Sequence, residues 1–349
     1  MPADHHHSTP LEDGSEHQDA NHARNDVQAQ ILDLDAEVMA EHIAAVTAWL
    51  PVRGAPIEIV DLGAGTGAGS FALLAQFPAA QLTAVDSSAA HLDQLRNKAD
   101  TANLSDRLRI VQADLNAPEW PDLGAPDLVW ASASMHHLAD PDRALRNVRD
   151  TLAPDGLIAV VELAGLPRFL PPTAPEDRPG LEERCHAATQ QRHAEHMPHR
   201  GADWGPKLTA AGLTVQDSLT IDVNVKNSHS NAVGAYALAA LQGIRNAAAD
   251  ALSADDLTAL DQLLDTTSPH SILRRDDLAV RTTRTVWAAR RTSEDTMVAV
   301  ARQRRATATD GPNEWFSATA EAANCERVLG NRRHGLDTLI GDETTTTVS

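Results

Sequence analysis

Ile57-Glu58-Ile59-Val60-Asp61-Leu62-Gly63-Ala64-Gly65-Thr66-Gly67-Ala68-Gly69-Ser70 changes character twice along its length. Its apolar, β-branched first part predicts a buried parallel strand, and the pattern from Ser70 onward predicts a helix. The glycines between them allow positive φ and close approach of the backbone to a ligand, and the helix start offers free N–H groups. This order of elements predicts a ligand site. Because Gly63-x-Gly65-x-x-Ala68 also satisfies the dinucleotide fingerprint, the stretch alone leaves the cofactor open.

The segments that follow repeat the alternation of strand and helix. Further strands are predicted at Gln81–Val85, Leu108–Gln112, Asp127–Ala131, Leu157–Glu162, Leu213–Val223 and Leu278–Arg290. Helical patterns between the first five strands indicate parallel connections, so the predicted fold is α/β, with a doubly wound, mostly parallel seven-stranded sheet. The last two strands are predicted to pair as an antiparallel hairpin that a helical insertion interrupts.

The rest of the chain divides by composition. Residues 1–26 are polar with almost nothing to bury, which predicts a disordered tail. The predicted domain covers residues 27–291, with a helical cap formed by insertions at about 166–200 and 231–265; residues 292–349 are an extension, partly helical with a disordered end. The domain opens with an amphipathic helix from Val27 to Leu50, for which packing on the sheet is favoured over covering a cofactor.

Charge and cysteine content exclude several classes of function. The formal net charge of −20 argues against a nucleic-acid or anionic-membrane surface, because phosphate binding needs a basic footprint. The two cysteines, Cys185 and Cys325, form no metal or disulfide pattern, which fits a reducing compartment. The sequence shows no signal-peptide pattern and no apolar run long enough to cross a bilayer. We therefore expect a cytoplasmic protein.

Three acidic residues follow or end predicted strands, at the edge where open α/β sheets bind ligands. Asp61 precedes the glycines, Asp86 ends the second strand, and Asp114 follows the third. A carboxylate at Asp86 can accept hydrogen bonds from both ribose hydroxyls, and Asp114 can meet an adenine amino group. Asp61 suits a cationic cofactor better than an anionic one, because like charges near a phosphate repel.

With these residues in place, the sequence resembles the class I S-adenosylmethionine-dependent methyltransferases of the small-molecule type. The resemblance covers roughly residues 27–291 and rests on ordered motifs: Asp61-Leu-Gly-Ala-Gly-Thr-Gly, Val85-Asp86, Gln112-Ala-Asp114-Leu, Asp127-Leu-Val-Trp-Ala-Ser with His136-His137-Leu, Leu152-Ala-Pro-Asp-Gly-Leu and Leu208-Thr-Ala-Ala-Gly-Leu. Several motifs in order are more specific than one glycine loop. The resemblance implies a Rossmann-like methyltransferase fold and S-adenosyl-L-methionine as cofactor.

The resemblance also assigns roles to individual residues. It implies that Gly63, Gly65 and Gly67 approach the methionine part of the cofactor and that Asp86 binds the ribose. The adenine-binding residues that it implies are Asp114 and Leu115, and Ser132 is expected to line the site between cofactor and acceptor. Two alternatives stay open: a non-catalytic relative that binds the cofactor for regulation, and an NAD-dependent oxidoreductase.

Two histidines follow the fourth strand where the acceptor is expected. We hypothesise that His136 or His137 orients or deprotonates the acceptor, with a packed loop as the alternative interpretation. A second group of histidines near Cys185 (His186, His193, His196 and His199) lacks a complete set of metal ligands, so no metal site is predicted. A lid or a solvated helix is the expected role of that segment. Glu162 can face the acceptor or bond loop backbone.

The predicted acceptor is a small molecule. Methyltransferases that act on exocyclic amines of nucleic acids carry an Asn/Asp-Pro-Pro-aromatic run after the fourth strand, whereas this chain has Ala131-Ser132-Ala133-Ser134. The Pro-Cys dipeptide of cytosine-carbon methyltransferases is also missing. With the acidic net charge, these observations predict no nucleic-acid and no membrane partner. The oligomeric state is open.

Overall fold

The structure, a computed structural model, describes residues 13–291. Its strands are β1 (Glu58–Leu62), β2 (Gln81–Asp86), β3 (Leu108–Gln112), β4 (Leu128–Ser132), β5 (Leu157–Leu163), β6 (Leu213–Lys226) and β7 (Ala279–Arg291). They form one 7-stranded sheet in the order β3-β2-β1-β4-β5-β7-β6. The first five strands are parallel, and β7 is antiparallel to both β5 and β6. The predicted doubly wound, mostly parallel α/β sheet is confirmed.

The helices lie between the strands and in two insertions. They are α1 (Asp13–Trp49), α2 (Ala68–Gln76), α3 (Ala89–Thr101), α4 (Pro141–Thr151), α5 (Leu181–His196), α6 (Trp204–Ala210), α7 (Ala232–Ala248) and α8 (Ala254–Leu264). Short 3₁₀ turns occur at Ser105–Arg107, Met135–His137 and Ile272–Arg274. α5 falls within the first predicted insertion, and α7 and α8 fall within the second.

Several helices begin at a side chain that accepts a backbone N–H, which satisfies one of the donors left free at a helix start. Ser88 caps α3, Asp140 caps α4, Asp203 caps α6 and Ser253 caps α8. α2 is different, because its N-cap residue is Gly67, which lies in the left-handed region and has no side chain to cap the helix. In the turn before it, the N–H groups of Gly63 and Gly67 donate to the carbonyl oxygens of Val85 and Ala64, and the N–H of Gly65 donates to Asp86.

The first helix departs from the prediction at its N-terminal end. The sequence predicts a disordered tail over residues 1–26, whereas α1 is already helical from Asp13. A polar segment can continue a helix that is fixed elsewhere, because propagation costs far less than nucleation. α1 is fixed by Val38, Met39 and Val46, which are buried. The remainder of the predicted tail, and the predicted C-terminal extension at 292–349, lie outside the described residues.

Apolar side chains form three clusters. One lies on each face of the sheet, centred on residues such as Val129 and Trp130 that point to opposite sides of β4. The third joins α1, α5, α7 and α8 and includes Phe169 and Tyr236. The third cluster fixes the cap beside the carboxyl edge of the sheet.

No helix within residues 13–291 is both long and apolar enough to span a bilayer.

Candidate active site

A cavity of about 360 Å³ lies at the carboxyl ends of the parallel strands. The chain order of the strands reverses between β1 and β4, and open α/β sheets bind ligands in the crevice at such a point. The glycine turn after β1, the ends of β2 and β4, the segment after β3, and residues of α1 and β7 line the cavity. Its volume is within the range of roughly 300–1,000 Å³ typical of small-molecule sites.

The glycine turn gives the cavity a wall of backbone. Gly63 and Gly65 line it with φ of 71° and 53°, a backbone region that residues with a side chain rarely adopt. A Cβ at Gly63 would overlap Ser134, and one at Gly65 would lie 3.2 Å from Cδ1 of Leu32. Gly67 has φ of 98° and does not line the cavity; a Cβ there would lie 2.7 Å from the ring of Phe71. The structure thus gives Gly67 a packing role, and its predicted contact with the cofactor stays a prediction.

Asp86 is held in an ionised, oriented state at the end of β2. Its Oδ2 accepts the N–H of Gly65 and its Oδ1 accepts the N–H of Ser88, each at 2.8 Å, and Nδ1 of His91 lies 3.7 Å from Oδ1. Burial opposes ionisation, but the bonds with His91, Ser88 and Gly65 together hold the pKa of Asp86 below its ordinary value. Each carboxylate oxygen keeps a lone pair for a ligand hydroxyl.

Asp61 lies deeper, beneath the glycine turn. Its side chain is buried, and its Oδ2 accepts the hydroxyl of Ser70 at 2.7 Å. Burial raises the pKa of Asp61 to about 7, against the opposing effect of the Ser70 hydrogen bond. A cation that entered the cavity would favour the ionised form of this carboxyl.

The other predicted cofactor residues also line the cavity. Asp114 is exposed, and its Oδ1 accepts the N–H of Asn116 at 2.8 Å, which turns the backbone after β3. Leu115 is buried beside it, and Ser132 lies at the end of β4. The structure therefore brings together every predicted cofactor residue except Gly67.

The residues present fit the cofactor that the resemblance implies. Asp61, Asp86 and Asp114 bring three carboxyls to one cavity, which suits a cationic ligand and repels a pyrophosphate. Gly63 and Gly65 bring backbone to the wall of the cavity, beside Asp86 and Ser134. A cationic nucleoside with two ribose hydroxyls matches both features.

The two predicted catalytic histidines occupy different environments. His136 is 1% exposed and does not line the cavity; its Nδ1 lies 2.5 Å from Oε2 of Glu162, whose Oε1 accepts the N–H of His136 at 3.2 Å. His137 lines the cavity, with its ring centroid 4.1 Å from that of His136. The structure thus places only His137 where it can touch an acceptor.

The ring of His137 is uncharged at neutral pH. Partial burial in the cavity lowers its pKa to about 4, and the charges of His136 and Arg200 act in the same direction. Glu162, for which two roles were open, bonds both the backbone and the ring of His136. It therefore fixes the loop that carries His137 rather than reaching the cavity.

Residues of α1 and β7 were missed by sequence reasoning. Gln28, Leu32, Asp35 and Ile43 of α1 line the cavity, so this helix covers the site and does not merely pack on the sheet. Nη2 of Arg284, on β7, lies 2.6 and 2.7 Å from the two carboxylate oxygens of Asp35, and the hydroxyl of Tyr236 donates to Asp35 at 2.8 Å. No sequence pattern marks this group, because its members belong to three distant segments.

The histidine-rich segment stands apart from the cavity. Cys185 is buried in the cap, where burial raises the pKa of its thiol to about 11, and Glu182 accepts the N–H groups of Phe169 and Leu170. Within the part of the chain whose side chains are described, no group of His, Cys, Asp and Glu could hold a metal ion. The side chains of His193 and His196 lie outside the described residues. No described residue of α5 lines the cavity, so the lid prediction gains no support.

Comparison with known proteins identifies the central part of the chain. Residues 60–158 match the family model described as a methyltransferase domain. A malonyl-[acyl-carrier protein] O-methyltransferase of Halorhodospira halophila is 36% identical over 163 residues, which are 47% of this chain and 50% of that protein. A trans-aconitate 2-methyltransferase of Acidovorax sp. is 37% identical over 106 residues, which are 30% of this chain and 38% of that protein. This chain thus spans half or less of the length of these relatives.

Solved structures of methyltransferases are similar to this chain at lower sequence identity. A phosphoethanolamine N-methyltransferase of Haemonchus contortus in complex with S-adenosylhomocysteine is 13% identical and aligns over 72% of this chain and 52% of its own, with a TM-score of 0.42. The match over residues 60–158, which include the glycine turn, the acidic strand ends and the histidine loop, shows that the chain carries a methyltransferase domain, and the named relatives support the class I S-adenosylmethionine-dependent family.

Proposed function

We propose that this protein transfers the methyl group of S-adenosyl-L-methionine to a small-molecule acceptor. The observation that carries the proposal is the carboxylate of Asp86, fixed by the N–H groups of Gly65 and Ser88 at the edge of a cavity that Asp61 also lines. This arrangement matches a ribose at one end and a positive charge at the other. The malonyl-[acyl-carrier protein] and trans-aconitate named for the relatives support a non-nucleic-acid acceptor.

The residues of the chain would bind the cofactor, orient it toward the acceptor and exclude water from the site. The cofactor, when bound, supplies both an electrophilic methyl group and its leaving group, so an in-line displacement needs alignment above all. Asp86 would hold the ribose hydroxyls, the backbone of Gly63 and Gly65 the amino-acid part, and Leu115 the adenine. Asp61 would face the ammonium group. Leu32 and Ile43 of α1 line the cavity and would help to exclude water from the reacting atoms.

His137 would act on the acceptor. With its pKa near 4, the ring is neutral at pH 7 and can accept a hydrogen bond that orients a protonated acceptor, whereas so low a pKa makes it a weak general base. An acceptor that is already an anion needs no such base. His136 and Glu162 would position the loop without touching the acceptor.

Calorimetric titration tests the proposal. The full chain is titrated with S-adenosylmethionine, S-adenosylhomocysteine and NAD, and the titration is repeated on Asp86→Ala. We expect the first two to bind and Asp86→Ala to weaken them at least tenfold, because the ribose loses about 1.5–3 kcal/mol of charged hydrogen bonding.

Asp93→Ala is the matched control, because Asp93 is exposed on α3 and pairs only with Arg96 at the surface in the described structure. It should bind like the wild type. Binding of NAD alone would show that the site is a dinucleotide site. Binding of S-adenosylmethionine without methyl transfer to any compound in a broad acceptor screen would favour the regulatory alternative.

A further inference from the structure

β6 lies at one edge of the sheet, and among the strands that the structure describes it pairs only with β7. It has 14 residues, whereas β3 at the opposite edge has 5. Long edge strands present free N–H and C=O groups to which another strand can bind, and bulges or prolines usually protect them. β6 contains no proline, and its one bulge, between Val215 and Asp217, leaves residues 218–226 in regular pairing.

The hydrogen bonds of β7 show which backbone groups of β6 point to the free side. Arg281 of β7 exchanges both of its backbone hydrogen bonds with Arg168, away from β6. Asn224 lies opposite Arg281, so this is a pair without hydrogen bonds, and the N–H and C=O of Asn224 also point away from β7. Because the direction alternates along a strand, the backbone groups of Asp222 and Lys226 point to the free side as well.

The side chains at this end of β6 form a charge pattern that is complementary to itself. Residues 222–226 read Asp-Val-Asn-Val-Lys, and Asp222, Asn224 and Lys226 are exposed. An antiparallel second copy centred on Asn224 places Asp222 of each copy opposite Lys226 of the other. Opposite charges directly across two strands stabilise the pairing, and like charges destabilise it. A register centred on Asp222 would instead bring two carboxylates together.

We propose that two copies of this chain associate through residues 222–226 of β6, antiparallel and centred on Asn224. A two-fold axis through Asn224 makes the contact self-complementary, as in most homodimers. Within residues 13–291, the backbone N–H groups of Asp222 and Asn224 have no hydrogen-bond partner, and the contact gives them one. The carbonyl of Lys226 accepts the N–H of His229 and keeps a second lone pair for the other copy.

The expected dimer is weak, because a contact of five residues on each copy is smaller than the interfaces of stable complexes. The two sheets become one continuous sheet across the contact. The contact goes beyond methyl transfer and does not depend on it, so a failure of the proposed function would leave it untouched.

Analytical ultracentrifugation of the full chain over a range of protein concentrations tests the contact. We expect a monomer–dimer equilibrium for the wild type. Lys226→Asp and Asp222→Lys should each raise the dissociation constant at least tenfold, because each puts two like-charged pairs into the contact. The double variant Asp222→Lys/Lys226→Asp should associate like the wild type, because it only exchanges the two charges.

A mixture of the two single variants gives a second measurement that a folding defect could not imitate. When Lys226→Asp pairs with Asp222→Lys, both cross-strand pairs again carry opposite charges. We expect the mixture to form a heterodimer with the affinity of the wild type, although each variant alone associates more weakly.

Asp217→Lys is the matched control, because Asp217 is exposed on β6 but lies outside the contact. It should associate like the wild type. A wild type that stays monomeric at its highest soluble concentration would overturn the proposal and leave the edge to a partner of another kind. A dimer that the single variants do not weaken, or that neither the double variant nor the mixture restores, would show that the copies meet through another surface.

Discussion

At the scale of single residues, ionisation of Asp61 lowers the stability of the unliganded protein but favours binding of a cationic cofactor. Its carboxyl is buried, and its raised pKa means that the folded state keeps a proton that the unfolded state releases. Stability is therefore unaffected below the unfolded pKa of 3.8 and falls as pH rises toward about 7. The whole effect is of the order of 4 kcal/mol.

Asp61→Asn should therefore stabilise the unliganded protein more at high pH than at low pH. The amide keeps an oxygen for the Ser70 hydroxyl but removes the titration. We expect the gain in free energy of unfolding, measured in urea, to be about 2–3 kcal/mol larger at pH 8 than at pH 5. The same variant should bind S-adenosylmethionine more weakly. An equal gain at both pH values would contradict the buried carboxyl as its cause, and Asp93→Asn is the exposed control.

Substitution of His136 should lower the stability of the protein, whereas substitution of His137 should affect methyl transfer and leave stability almost unchanged. His136→Ala leaves Glu162 buried without its partner, which costs about 3–5 kcal/mol. His137→Ala removes a side chain that faces the cavity and should change the free energy of unfolding by less than about 0.5 kcal/mol. Urea unfolding and methyl transfer at saturating cofactor measure the two effects. If His137→Ala leaves turnover unchanged, His137 has no catalytic role; if His136→Ala is as stable as the wild type, the Glu162 pair does not fix the loop.

At the scale of elements, the regular hydrophobic pattern of the sequence predicts the strands and their ends, but it does not predict contacts between distant segments. The strand ends that carry Asp61, Asp86 and Asp114 follow from local alternation, and the parallel order then brings them together. The role of α1 did not follow, because Asp35 finds Arg284 at a sequence separation of 249 residues. A charged residue within an amphipathic helix looks like a solvated one until its partner is known.

The contacts of α1 predict how the cavity opens. Asp33 lies 2.5 Å from Nζ of Lys98 and accepts the Thr66 hydroxyl, and Asp35 binds Arg284. Asp35→Asn should loosen α1 by about 1.5–3 kcal/mol, because a charged hydrogen bond to a buried guanidinium is lost. We expect S-adenosylhomocysteine to dissociate roughly tenfold faster in stopped-flow experiments, since 1.4 kcal/mol corresponds to a factor of ten.

Glu37→Gln is the control for this helix, because Glu37 is exposed on α1. It should leave the dissociation rate unchanged. Limited proteolysis gives a second measurement, in which Asp35→Asn exposes α1 to cleavage and Glu37→Gln does not. Equal rates and equal cleavage for both variants would mean that α1 does not control access to the cavity.

At the scale of the whole molecule, ligand binding should act on one cooperative unit. The cavity takes residues from α1, from the ends of β2 and β4, and from β7, while the third cluster ties α1 to α5 and α7. A ligand that binds only the folded state at one hundred times its Kd stabilises it by about 2.7 kcal/mol. For a chain of this size that corresponds to a rise in Tm of roughly 4 °C. Far-ultraviolet circular dichroism and tryptophan fluorescence should report the same transition with S-adenosylhomocysteine. Asp86→Ala should show about half of the wild-type rise or less at the same ligand concentration, because its Kd is at least tenfold higher. Two separate transitions, of which the ligand moves one, would show that the cap unfolds independently of the sheet.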